Sequence, residues 1–280
     1  MIAQQSKFIK VLLTVIAVLV TLAFLVPTVW MIVSSLRPQS ETFANASDIS
    51  IWTFVPETWT FQHYANALTG DFARALLNSL IIAVVSVVLG LGVAALAAFA
   101  ISAMRVRGAG AVFAIIVISF LVPFEAIAVP LSASFREIGL HNTYVGLILP
   151  GLGHGLAIFY LRQFFDSLPK ELTEAARMDG ANWWTILTQV YLPLSKSSLV
   201  GAGIILFMFQ WQAYLWPLLV ASRSDMLVGS IAVARMFGEY STDYGTIFAG
   251  SVLLALVPAA LLFFFQRQFT QSLATSGMKE

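Results

Sequence analysis

The amino-acid sequence predicts an all-α fold, a polytopic membrane protein that crosses the bilayer about six times. Of 280 residues, 59% are hydrophobic and only 10% charged, against about a quarter charged in soluble domains, so water alone cannot solvate this chain. Six stretches reach the roughly 20 apolar residues that a helix needs to cross about 30 Å of hydrocarbon. They lie near residues 8–33, 75–103, 109–133, 143–163, 197–221 and 246–267. Every backbone N–H and C=O must be paired inside lipid, and these runs lack the ten-residue alternation of a membrane barrel, which leaves helices.

The first stretch follows Lys7 and Lys10 and so imitates a secretory signal. It is too long for a signal core and shows no small-x-small cleavage site, so we expect a retained span. The segment 34–74 carries Pro38, Pro56, Trp52 and Trp59, which suits a partly ordered extracytoplasmic cap with interfacial aromatics. In the second stretch Gly90, Ala94 and Ala98 recur at four-residue spacing, a small-residue stripe that lets another helix approach its backbone. The later stretches are interrupted by Pro123 and Pro130, by Pro150, Gly151, Gly153 and Gly155, by Pro217 and by Pro258. Such breaks are tolerated where neighbours or a wet cavity satisfy the freed backbone groups, so they fit both a solute pathway and structural kinks.

Lys and Arg beside a span favour the cytoplasm. With the N-terminus inside, the inner side holds ten of the fifteen basic residues, Arg105, Arg267 and Lys279 among them, and the outer side five. Both termini are therefore expected in the cytoplasm. A net charge of +1 without a long basic run gives no reason to expect nucleic acid. The absence of cysteine removes disulfides, thiol nucleophiles and thiolate metal sites. His63, His141 and His154 are scattered singly, and neither HExxH nor GxSxG occurs. We expect no catalytic residues and no metal site.

The cytoplasmic loop between the fourth and fifth stretches, residues 164–196, is the most informative segment. Pro169 suits the start of a helix, with Glu171 in the first turn where an acid is favoured. Leu172, Ala175, Ala176 and Asp179 share one side, and Gly180 stops the helix by adopting a left-handed conformation. Trp183, Ile186, Leu187 and Val190 then form the apolar stripe of a second short helix, ended by Leu192-Pro193. Two short helices around a glycine make either an ordinary loop packed on its own bundle or a knob shaped for another protein's cleft.

Glu174-Ala175-Ala176, Gly180 and Leu192-Pro193 resemble the EAA motif of binding-protein-dependent permeases of ATP-binding-cassette importers. That resemblance implies that Glu174, Ala175, Ala176, Asp179 and Gly180 couple the chain to an ATPase. Pro27, Trp30 and Ser35-Leu36-Arg37-Pro38, Asn78-Ser79-Leu80, Trp211 and Tyr214-Leu215-Trp216-Pro217, and a tail over Phe269 to Lys279 are similar to the second permease of the carbohydrate branch, of maltose and glycerol-phosphate type. Gln212 stands where the branch carries asparagine, and Ser272 where its tail carries glycine. The resemblance implies one permease domain over 1–280, with core helices over 75–267 and a cytoplasmic tail over 268–280. It also implies a bacterial or archaeal inner-membrane setting and a heterodimer with a second permease. Further implied partners are two ATPase subunits, which hold the ATP and Mg, and an extracytoplasmic solute-binding protein. This chain itself needs no cofactor and touches only lipid, its partners and a small-molecule solute.

Candidate solute contacts are Glu125, an ionisable group expensive within a span, and Trp211, Gln212 and Tyr214, where amide and aromatic groups suit the hydroxyls and C–H faces of sugars. Glu125 also suits a cationic group or a neighbouring subunit, and glycerol phosphodiesters remain open as solutes. A rival is an ion-coupled secondary transporter with Glu125 as its ion site.

Overall fold

A computed structural model describes residues 7–44, 50–104, 106–237 and 242–277, with side chains through residue 266. Arg105 and Lys279 lie outside the described residues, as do the side chains of Arg267 and of the tail, Ser272 included. The described residues form helices and turns and no strand. In chain order the helices are α1 (Lys7–Ser35), α2 (Gln39–Ala44), α3 (Ile51–Phe54), α4 (Gln62–Thr69), α5 (Asp71–Ser102), α6 (Ala109–Leu121), α7 (Phe124–Glu137), α8 (Tyr144–Ile148), α9 (Gly155–Ser167), α10 (Lys170–Met178), α11 (Trp183–Ile186), α12 (Leu192–Leu194), α13 (Lys196–Trp211), α14 (Leu215–Val220), α15 (Gly229–Arg235) and α16 (Tyr244–Gly277).

Three helices, α1, α5 and α16, are long and apolar enough to cross a membrane singly. The others are broken, at or near the proline and glycine interruptions of their stretches. The 109–133 stretch is α6 and α7, bent by 93° at Val122-Pro123, where Pro123 cannot donate to the preceding turn. The 143–163 stretch bends by 45° at 152–154. The 197–221 stretch ends its first helix at Trp211, and α14 resumes only at Leu215.

The chain forms two compact units, one within residues 1–73 and 233–255, the other within 74–232 and 256–280. In the first, α1 leaves its apolar surface exposed along most of its length. The Thr14 and Thr21 hydroxyls donate to the carbonyls of Lys10 and Ala17, so neither is unpaired. At its C-terminal end and just beyond lies a polar knot: Ser34, Ser35, Arg37 and Thr42 are fully buried. Ser35 Oγ lies 2.7 Å from Tyr64 Oη, Arg37 donates to the Thr53 carbonyl at 3.2 Å, and His63 Nε2 lies 3.0 Å from the Arg37 carbonyl. Burial draws the Arg37 pKa below its ordinary value, with Glu41 and Glu57 pulling the other way. Trp52 and Trp59 stay exposed on this cap.

In the second unit the small-residue stripe of α5 is packed: Ala94 and Ala98 are 1% and 0% exposed. A methyl on Gly90 would lie 3.3 Å from a Leu206 methyl and 3.7 Å from the Leu152 carbonyl. The core joins this stripe to Ile158, Leu161 and Phe165 of α9, to Ala202 and Leu206 of α13, and to Ile186, Leu187 and Tyr191. At the opposite end of α5, buried Asn78 makes three hydrogen bonds to two other segments. Its Nδ2 donates to the carbonyls of Asp225 and Leu227 (3.0 and 2.8 Å), and its Oδ1 accepts from the Tyr144 hydroxyl (2.7 Å). Ser79 Oγ accepts from the Gly229 N–H at 2.8 Å. Hydrogen bonds from Arg223 hold the Asp225 carboxyl below the usual carboxylate range.

Candidate coupling knob and broken-helix layer

Two features of the second unit stand out as candidates, a knob at one end and a layer of helix breaks at the other. The knob begins at Pro169, which precedes α10 with an extended backbone; Glu171 occupies the first turn and Arg177 the last, both matched to the helix dipole. The helix ends in a Schellman motif: the Gly180 N–H bonds the Arg177 carbonyl at 3.1 Å and the Ala181 N–H the Ala176 carbonyl at 2.9 Å. Gly180 has φ of +78°, a conformation that costs any residue with a Cβ about 1–2 kcal/mol. Asn182 then opens α11, its side chain accepting from the Thr185 N–H at 2.8 Å.

The second helix is longer than its stripe suggested. A π-turn over Leu187–Tyr191 follows α11, and the helical run continues through Pro193 to Leu194 before an 83° bend into α13. Leu192-Pro193 therefore does not end it. Pro193 has no N–H for the carbonyl four residues back, so a regular α turn would lose a bond there. The wider turn instead pairs the Leu192 N–H with the Leu187 carbonyl.

Tyr191 holds the knob to the bundle. Its ring meets Phe99 and Phe165 edge-on, at 4.9 and 5.2 Å between centroids, and its hydroxyl lies 2.9 Å from Thr173 Oγ1 on α10. The Arg177 guanidinium sits 4.8 Å from the centroid of the Trp183 ring. Only Thr173 and Ala176 of α10 turn partly inward. Leu172, Glu174, Ala175, Asp179 and Gly180 are exposed, as are Met178 at 88% and Trp184 at 65%. Behind the knob opens a cleft of about 710 Å³, lined by Glu174, Lys170, Arg177 and Asp166 and backed by Trp183 and Tyr191.

The breaks form the second feature. From the end nearest the knob, α6 and α9 each run 13 residues and α13 runs 16 before breaking, which is about 20 and 24 Å of helix. Both α6 and α13 pack against α9, so the breaks share one level. The His154 ring marks it, lying 5.8 Å from Phe120 at the end of α6 and 4.5 Å from Phe209 near the end of α13. Two glycines permit the approach: a methyl on Gly155 would stand 2.8 Å from Phe120 Cβ, and one on Gly151 2.8 Å from Gln210 Oε1.

Beyond the breaks α7 and α14 pack together. The Trp216 ring meets Phe124 and Phe135 edge-on, and its N–H donates to the Gly146 carbonyl at 3.0 Å. Glu125 sits exposed in the first turn of α7, where the helix dipole favours an acid. It makes no hydrogen bond or ion pair among the described residues. Gln212 caps the end of α13 with an exposed side chain, and Tyr214 is exposed. Trp211 is instead 5% exposed and stacks on Phe207 at 5.3 Å. Phe124 and Trp216 thus bring the neighbourhoods of Glu125 and Tyr214 together. Tyr191, Thr173 and Asp166 carry no motif that marks them as site residues, although the Arg162–Asp166 pair at i and i+4 is visible as helical spacing.

Residues 86–275 match the family of the binding-protein-dependent transport system inner membrane component. The chain is 33% identical over 257 residues to the lactose transport system permease protein LacG of Rhizobium radiobacter, covering 89% of each protein. It is 32% identical over 279 residues to the arabinooligosaccharides permease AraQ of Halalkalibacterium halodurans, covering 99% of each. It is 34% identical over 229 residues to the sn-glycerol-3-phosphate permease UgpE of Rhizobium meliloti, covering 78% of this chain and 81% of that one. A bacterial ABC transporter involved in import of the acidic polysaccharide alginate shares the fold, with TM-score 0.79 at 22% identity over 95% of this chain and 99% of that one. This chain belongs to the binding-protein-dependent transport system inner membrane component family. Within that family it falls in the branch of carbohydrate and glycerol-phosphate permeases, proteins of the inner membrane.

Proposed function

We propose that this chain is one of two different permease subunits of an importer that moves a carbohydrate-type solute by alternating access, driven by ATP hydrolysis in two partner ATPase subunits. The observation that carries this reading is the knob: a helix stopped by a Schellman glycine, anchored through Tyr191, with Ala175, Met178 and Trp184 left bare. A water-facing loop gains nothing from exposing Met and Trp, whereas a protein groove does. Glu174, Ala175, Ala176, Asp179 and Gly180 form the coupling element, and ATP with Mg binds in the partners. Each bent helix pair counts as one span in this reading, so six spans cross the membrane with both termini in the cytoplasm. The tail over 268–280 extends toward the ATPases, and an extracytoplasmic solute-binding protein delivers the cargo.

The pathway runs along the layer of helix breaks, with Glu125, Gln212 and Tyr214 on its wall and Trp211 packed behind them. The relatives named for lactose and arabinooligosaccharides support a sugar as solute. A second reading, glycerol 3-phosphate or a glycerophosphodiester, is supported by the sn-glycerol-3-phosphate relative. The test is uptake into vesicles holding the reconstituted importer, with sugars and glycerol 3-phosphate compared at saturating binding protein. Uptake that requires internal ATP and ignores ion gradients supports the importer. Uptake driven by a proton or sodium gradient without ATPase subunits supports the secondary transporter and ends this reading.

A further inference from the structure

Asp166, one turn before the knob, is placed where local rules disfavour it. It lies in the last turn of α9 and within hydrogen-bond reach of Ser102, the last residue of α5. Two helix C-termini meet there, and a carboxylate is disfavoured at either because the unpaired carbonyls already carry partial negative charge. Two contacts offset that cost. The Ser102 hydroxyl donates to Asp166 Oδ1 at 2.5 Å, and Arg162 Nε lies 3.2 Å from Oδ2. The same guanidinium covers the Phe113 ring of α6, 3.8 Å from its centroid, and Phe113 stacks on Phe159 of α9 at 5.9 Å. One carboxylate therefore ties the ends of α5 and α9 and, through Arg162, reaches α6. Only Leu168 and Pro169 separate α9 from α10, so any displacement of the knob enters the bundle within three residues of Asp166.

We propose that Asp166 is a positioning residue that binds α5, α6 and α9 into one bracket, so that a push on α10 moves three helices together instead of bending α9 alone. The bracket stays closed throughout the transport cycle. This rests on the reading of α10 as the coupling element; failure of that reading shows separately, as uptake by the unaltered assembly that needs no ATP.

The chain has no cysteine, so Ser102→Cys with Asp166→Cys creates a single pair that a short thiol cross-linker can bridge in the assembled importer. The unbridged double variant is expected to keep ATP hydrolysis stimulated by the binding protein while solute moved per ATP falls roughly tenfold, within the range of ordinary coupling energies. Bridging restores that ratio and reductive release removes it again. A bracket that merely stabilises the fold lowers hydrolysis and uptake together. Normal uptake by the unbridged variant, or arrest of uptake on bridging, overturns the proposal. Ser102→Ala and Ser102→Thr give a second reading if the double variant does not assemble: alanine lowers the ratio and threonine, which keeps the hydroxyl, preserves it. Equal ratios in those two variants overturn the proposal as well.

Discussion

Helices α1 and α5 have the same peak mean hydropathy, 2.8, yet 0% of the most apolar window of α1 is buried within the chain against 33% for α5. Their lengths are similar, 29 and 32 residues. The difference lies in which residues interrupt the apolar run. Leu, Val, Ile and Phe make up most of α1, and Thr14 and Thr21 bond their own backbone. Helix α5 carries Gly90, Ala94 and Ala98 on one side and Asn78 and Ser79 near its start, so backbones can approach it and buried amides can bind it. Hydropathy commits a segment to lipid, whereas small and polar residues decide whether it packs within its own chain.

If insertion and coupling are separable in this way, the largest effect comes from a substitution that leaves every apolar segment untouched. Gly180→Pro cannot reach φ of +78° and loses the N–H that bonds Arg177, a change worth roughly 3 kcal/mol or more locally. ATP-driven uptake is expected to fall to background while the amount of chain in the membrane fraction stays normal; loss of insertion breaks the separation.

Next comes Asn78→Leu, which strands the carbonyls of Asp225 and Leu227 and the Tyr144 hydroxyl. Thermal unfolding in detergent should show a loss of roughly 2–4 kcal/mol, several buried polar groups having lost their partner. Thr21→Val in α1, whose hydroxyl meets only its own helix, should shift stability by less than about 0.5 kcal/mol. Comparable losses from the two substitutions contradict the contrast between the helices.

Smaller again is the methyl-scale test. Ala94→Leu overpacks a site 1% exposed and should cost about 1–3 kcal/mol, while Ala17→Leu on the bare face of α1 should be near neutral. Equal effects indicate that α1 packs as tightly as α5.

The same contrast explains what was legible in the sequence. Composition and span length identified a helical membrane protein, and the stripe of α5 is packed as its spacing foretold. Gly180 as helix stop was also readable, because few residues besides glycine tolerate its conformation. The bends were not: Pro123 and the 150–155 segment marked weak points, but the 93° and 45° angles arise from packing of α7 on α14 and of α6 on α9, contacts between residues far apart in sequence. Trp211 is a different case: its stacking partner Phe207 lies one turn back on α13, a pairing visible as i, i+4 spacing, while the tertiary contacts that bury the Trp211 ring were not visible. Tyr191 stayed unnoticed because its role depends on Phe99, Phe165 and Thr173 arriving from three other helices. The expectation that Leu192-Pro193 ends a helix failed because a π-turn absorbed the missing N–H.

The coupling role of α10 depends on what covers its exposed face. Ala175→Cys places the sole thiol of the chain at its centre, and a short cross-linker in membranes carrying the assembled importer should join it to the ATPase subunit, with a yield that changes on adding ATP. A thiol reached only by lipid-phase reagents, or one that never joins the ATPase, contradicts the account.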